Sequence, residues 1–219
     1  MPSLSTILKA TRVQFTLPPD EVFQSVATSV EEHMAAYDAS HNFEHILRVT
    51  ALSQSILTAE PEAQDPTVVL LAALLHDVTD KKYTNNDDDA SKLAEILARA
   101  NVGPDLSARI ITVVNHVSYS TEKRNPEQTR QVLSENPELG IVQDADRLDA
   151  IGAVGIGRVF TFGGAKMPQS SMQLSREHIE EKLMNLEGLM KTKTGRRMAR
   201  VRTERLQSFS QWWDEEWAL

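Results

Sequence analysis

The chain has no cysteine. That removes disulfide bonds, thiolate metal sites and a cysteine nucleophile together, and it is compatible with a reducing compartment. No apolar stretch approaches the ~20 residues that a membrane span requires. The first residues contain no apolar run of signal-peptide length. Lys9 and Arg12 precede the first acid, Asp20, which is a faint organelle-targeting pattern; the expectation is a cytoplasmic location, or a cytoplasmic and nuclear one. An excess of positive charge is also missing. A net charge of -8 argues against a long nucleic-acid partner, because phosphate affinity needs clustered Lys and Arg. A small anionic substrate needs only a local basic pocket and stays open. Alternating strand patterns, heptad arrays and repeat periods are absent too.

What is present reads as helix. The 219 residues are 41% apolar and 25% charged, a soluble globular balance with length for one full core. Pro18-Pro19-Asp20 starts a helix with Val22, Phe23, Val26, Val30 and Met34 on one face. Ser40-His41-Asn42 caps a helix whose stripe includes His45, Val49, Leu52 and Ile56. Asp65-Pro66 opens a helix that is apolar nearly all round up to His76, which marks a central buried element. A polar loop at 85–89 precedes a helix with Leu93, Ile96 and Leu97. Leu106, Ile110, Val113, Val114 and Val117 define the next helix, which carries His116. Residues 118–128 read as a loop. Pro137 begins a short helix leading into Asp144-Ala-Asp146-Arg-Leu-Asp149. Gly152, Gly155 and Gly157 suggest close helix packing, Gly163-Gly164 a break, and two helices follow at about 176–190 and 195–217. The expected fold is all-α, a single-domain helical bundle over 1–219. Its core covers about 20–165, and C-terminal helices from about 175 to 217 pack on it.

The chemistry gathers at the ends of apolar segments. His76-Asp77 closes the run from Val68 to Leu75, His45 points inward, and the acidic cluster follows Ile141-Val142. His45, His76, Asp77 and Asp146 are the candidate metal ligands. Two nitrogens and two oxygens without sulfur suit a divalent ion: Mn, Mg, Fe, Co, Ni or Zn. Such an ion lowers the pKa of water and polarises a phosphoryl oxygen.

At these residues the chain resembles the HD-domain superfamily of metal-dependent phosphohydrolases. The matching pieces are His45-Ile-Leu-Arg48-Val49, Leu74-Leu-His76-Asp77 and Ala145-Asp146-Arg147-Leu148. A group of small bacterial and fungal HD hydrolases is more similar still. Its pattern is met in Ser40-His41-Asn-Phe-Glu-His45, in Ala72-Ala-Leu-Leu-His76-Asp77-Val-Thr-Asp80-Lys81-Lys82-Tyr83 and in Gln143 to Gly152. It continues in His178-Ile-Glu-Glu-Lys182-Leu183 and Met190 to Arg196. The resemblance covers roughly residues 35–215. It implies an all-helical fold and hydrolysis of phosphate esters or anhydrides, often in nucleotides, by attack of metal-activated water on phosphorus. It implies that His45, His76, Asp77 and Asp146 are metal ligands and that Asp80 orients the attacking water; Asp77 and Asp80 are thus the expected catalytic residues. It also favours Lys82 as a phosphate-binding cation.

Further substrate-binding candidates are Lys81, Arg48, Arg147 and Arg158, by proximity to the motifs, with Lys182 and Arg196 from the C-terminal helices. His116 and His41 are expected near the substrate or behind the ligands, Asp149 behind them as well, and His33 at the surface. The expected partner is a small phosphorylated substrate such as a nucleotide, released as phosphate or pyrophosphate products. Two other readings compete. A dinuclear HD oxygenase or phosphodiesterase needs His41 and either His116 or His178 as further ligands. A non-catalytic HD scaffold has no use for a full ligand set.

Overall fold

The computed structural model describes residues 2–60, 64–79 and 89–218. Among them are twelve α-helices and no strand: α1 Leu4–Arg12, α2 Asp20–Met34, α3 Phe43–Ala59, α4 Pro66–Leu75, α5 Asp89–Arg99, α6 Pro104–Val114, α7 Tyr119–Arg124, α8 Pro126–Glu135, α9 Glu138–Asp149, α10 Gly152–Lys166, α11 Met172–Glu181 and α12 Lys193–Trp217. The all-α expectation holds.

The most apolar helix sits at the centre. In α4 every residue from Thr67 to Leu75 is buried. Its start follows from local chemistry: Asp65 Oδ1 accepts from the Thr67 and Val68 amides at 2.9 and 3.3 Å, and Pro66 occupies the first helical position, where no amide donor is needed. With α3 and α9 it forms the inner layer; α2 and α6 cover α4, and α10 and α12 cover α9. The outer helices obey the 3–4 spacing of half-buried helices. Phe23, Val26, Ala27, Val30 and Met34 are the buried face of α2. One apolar cluster runs from Ile7 to Leu206, and each fully buried Leu, Ile or Phe in it contributes about 1.5–3 kcal/mol.

Three expectations are corrected. Residues 118–128 are not a loop but α7 and the start of α8. Helix α7 buries no residue and so has no apolar stripe to read; its start is held by Ser118 Oγ on the Ser120 amide. Gly163-Gly164 does not end a helix: α10 continues to Lys166, and the missing Cβ of Gly163 lets Ser175 approach. The helix expected at 176–190 is α11 followed by two single 3₁₀ turns, Leu183–Asn185 and Glu187–Leu189.

One buried acid ties the last helix to the inner layer. Asp144 on α9 accepts from the Lys191 amide, the Thr192 amide and Thr192 Oγ1, all at 2.8 Å. Thr192 caps α12, and a Cβ at Gly195 would overlap the Asp144 carboxylate. Burial pushes the Asp144 carboxyl above its ordinary value, against the pull of those bonds.

Candidate metal centre

Four side chains from three segments meet at the ends of α3, α4 and α9. His45 lies on the first turn of α3 and is fully buried. His76 is the residue that caps α4, with Asp77 in the turn after it. Asp146 and Asp149 stand on the last turn of α9, three residues apart. That spacing aims them about 60° apart around the helix, so they reach opposite sides of one imidazole.

The distances are those of a ligand set. His45 Nε2 and His76 Nε2 are 3.1 Å apart. Asp77 Oδ2 is 3.2 Å from the first and its Oδ1 3.5 Å from the second. Asp146 Oδ1 lies 3.6 and 3.7 Å from the same two nitrogens. Neighbouring ligands held about 2.0–2.2 Å from one ion stand roughly 3 Å apart.

The protons of the imidazoles decide what fits. His76 Nδ1 is 2.8 Å from the Ala73 carbonyl, which only accepts, so Nδ1 carries the hydrogen. His45 Nδ1 is 2.7 Å from Asp149 Oδ2, again an acceptor. With Nδ1 so engaged, each ring in its neutral form turns a bare Nε2 lone pair to the other. Lone pairs face to face at that distance repel unless a cation stands among them, and two carboxylates at the same point add to the demand. The residues present fit a divalent ion, with His45, His76 and Asp146 each offering an atom within 4.8 Å of the others.

The two acids in contact with His45 are held in their charged form. Burial alone would raise the Asp77 carboxyl, but His76 and His45 hold it well below the usual carboxylate range. Burial would raise Asp149 too; its bonds to His45 and Arg48 and the Arg158 charge keep it below that range. For His45, burial and Arg158 act to lower the pKa, yet the bonds to Asp149 and Asp77 outweigh them and hold it above the ordinary imidazole value.

The centre opens into a cavity of about 870 Å³. Its walls come from α7, α10 and α11, with Phe162, Met167, Leu174 and Leu183 on the apolar side and Arg124, His178 and Lys182 among the polar groups. Lys182, the residue after α11, places its Nζ 5.0 Å over the Tyr119 ring at the start of α7.

The predicted cations fare differently from the predicted ligands. Arg48 does not line the cavity; its Nε and Nη2 grip Asp149 at 2.8 and 2.9 Å. Arg147 reaches the wall but its guanidinium is already bound, to Glu122 and, at 2.9 Å, to the Leu189 carbonyl. His116 faces away, with Nδ1 on the Thr112 carbonyl at 2.8 Å, and is not a lining residue. For the two arginines a partner distant in sequence takes the polar atoms; for His116 it is a carbonyl four residues back. His33 is not a surface residue either. It is half-buried, with Nε2 3.0 Å from the Val78 carbonyl and Nδ1 2.7 Å from Lys92 Nζ. His41 does line the cavity, its ring 6.0 Å from that of His45. Asp80, Lys81 and Lys82 lie outside the described residues. Arg124 and Tyr119 were missed, because α7 has no periodic signal that would have drawn notice.

Residues 42–151 match the HD domain. That stretch runs from the cap of α3 to just past α9 and holds all four converging side chains. The chain belongs to the HD-domain family. This HD-domain protein is 34% identical over 185 residues to YpgQ of Bacillus subtilis, covering 82% of the present chain and 85% of YpgQ. A crystal structure of YpgQ in complex with ADP matches with a TM-score of 0.68 at 32% identity, over 90% of this chain and 95% of that one. A protein of Lactobacillus plantarum matches with a TM-score of 0.76 at 28% identity, over 93% and 99% of the two chains. An HD-superfamily hydrolase of Bacillus thuringiensis does so with 0.67 at 28%, over 91% and 97%.

Proposed function

We propose that this HD-domain protein hydrolyses phosphate esters or anhydrides of nucleotides in a reaction that requires a divalent metal ion. The observation that carries the reading is the pair of bare imidazole nitrogens, 3.1 Å apart and flanked by two carboxylates, at the inner end of a cavity large enough for a nucleotide. The ADP complex of YpgQ supports the nucleotide part.

His45, His76, Asp77 and Asp146 would hold the ion. When bound, it supplies Lewis acidity to a phosphoryl oxygen and makes water a better nucleophile. The protein's own groups do the rest. Asp80, one turn beyond the ligand Asp77 in sequence, orients the attacking water and takes its proton. Lys182 and Arg124, with Lys82, neutralise the phosphates. Phe162, Met167, Leu174 and Leu183 take the less polar end of the nucleotide and exclude bulk water. Attack on the terminal phosphorus releases phosphate; attack on the α-phosphorus of a triphosphate releases pyrophosphate.

The test is a panel of nucleoside mono-, di- and triphosphates, each assayed with Mn, Mg, Co, Ni and Zn, with products identified by phosphorus NMR. Turnover that needs the ion and stops with a chelator is expected. No hydrolysis of any member with any ion would overturn the proposal in favour of a binding scaffold.

A further inference from the structure

Asp149 does not line the cavity, and its side chain is 2% exposed. Four donor atoms nevertheless close on its two oxygens. His45 Nδ1 is 2.7 Å from Oδ2, Arg48 Nε 2.8 Å from Oδ1, Arg48 Nη2 2.9 Å from Oδ2 and Arg158 Nη1 3.2 Å from Oδ2. The carboxylate lies on the far side of the imidazole from the point where Asp77 and Asp146 gather, so it cannot share an ion with them. We propose that Asp149 is the positioning residue of the metal centre: it fixes the hydrogen of His45 on Nδ1 and thereby keeps Nε2 a bare donor, while Arg48 and Arg158 lock the carboxylate in place. This rests on the metal-dependent reading above.

The geometry asks for more than a strut between helices. One guanidinium balances one carboxylate, and a bidentate grip already uses Arg48 in full. The second arginine leaves the cluster with surplus positive charge directly behind a ring that must accept a cation in front. Such surplus weakens a metal site unless the carboxylate is held hard against the ring, where its charge is felt first. Arg158 also extends the lock: its Nε donates to the Ser40 carbonyl at 2.7 Å, and Ser40 Oγ is 2.6 Å from His41 Nδ1. The same carboxylate thus anchors the arm that carries His41 on the cavity wall. Two arginines that stand beside the motif in sequence are, on this view, parts of the metal centre and not phosphate clamps.

Asp149→Asn tests the proposal with the full chain. Arg48 Nε and Nη2 demand acceptors, so the amide oxygen turns to them and its NH₂ faces His45. An amide donor there favours the other tautomer, with hydrogen on Nε2. Two readouts follow. Imidazole ¹⁵N spectra of the metal-free protein, taken at a pH high enough for the ring to be neutral, are expected to report hydrogen on Nδ1 of His45 in the parent and on Nε2 in the variant, a change that a strut would not cause. Calorimetric titration with Mn²⁺ is expected to lose about 10–100-fold in affinity. An unchanged tautomer with unchanged Mn²⁺ affinity overturns the assignment. If Asp149→Asn does not fold, Arg48→Gln, which leaves the carboxylate but loosens it, must lower Mn²⁺ affinity severalfold, and equal affinity overturns it. A parent protein that binds no divalent ion removes the proposed function instead, and the metal-free spectra still decide whether Asp149 sets the tautomer.

Discussion

His45 and His76 present their Nε2 atoms to each other at 3.1 Å because each ring has its Nδ1 hydrogen engaged elsewhere, on Asp149 and on the Ala73 carbonyl. Neither nitrogen can be satisfied by the other. Removing one member of the set is therefore expected to remove the ion. Asp77→Ala and His76→Ala should each lower Mn²⁺ affinity by at least ~100-fold, beyond what loss of a supporting residue does, and abolish turnover. Calorimetry and the nucleotide assay check both.

The same ion should stabilise the fold. At a free concentration 100 times its dissociation constant, a ligand bound only by the native state adds about 2.7 kcal/mol. Urea unfolding with Mn²⁺ and with chelator is expected to differ by that amount in the parent protein and by about 0.4 kcal/mol or less in Asp77→Ala.

Gly155 packs where no side chain fits. A Cβ there would overlap the carbonyl oxygen of Ala150, the residue that ends α9. Gly155→Ala is expected to cost about 1–3 kcal/mol by prising α10 from α9, read as a lower urea midpoint with an unchanged slope.

Arg147 is buried and paired with Glu122, which Lys191 Nζ also reaches at 2.8 Å. Glu122→Ala leaves two cations without their acid. Breaking a buried pair from one side costs about 3–5 kcal/mol, and the partial exposure of Glu122 puts the expected loss nearer ~2 kcal/mol. Chemical denaturation of the metal-free protein measures it. Nucleotide KM should change less than in Lys182→Ala, if Arg147 serves the fold and Lys182 the phosphates.

Acid should unfold the metal-free protein partly through Asp149. Burial works against its charge, but His45 and the arginines hold its folded pKa below the unfolded value of about 3.9. The sign follows: the native state binds fewer protons there, so the stability it contributes is full above about pH 4 and is lost as pH falls through the lowered folded pKa. Asp149→Asn should unfold with a shallower dependence on pH below 4, followed by circular dichroism.

Much of the centre was legible because residue type is itself the chemistry. His45, His76, Asp77 and Asp146 could be picked out as nitrogen and oxygen donors at the ends of apolar runs, and burial of those runs forces them together. The arginines were not legible in the same way. Arg48 and Arg147 adjoin the motifs in sequence, but the direction of a long guanidinium depends on which acid is near in space: Asp149, 101 residues on, for one, and Glu122, 25 residues back, for the other. His33 was misread for the same reason, since its partners are 45 and 59 residues away.

The amino-acid order by itself determined the all-helical class, the Asp65-Pro66 start of the buried α4 and the residue types that meet at the centre, because each of these depends on local spacing and on the transfer of apolar groups out of water. Only the tertiary structure decided which nitrogen of His45 faces the ligand cluster and which cations remain at the cavity wall. A tautomer and a guanidinium direction are set by hydrogen-bond partners, and for His45 that partner is 104 residues away on another helix.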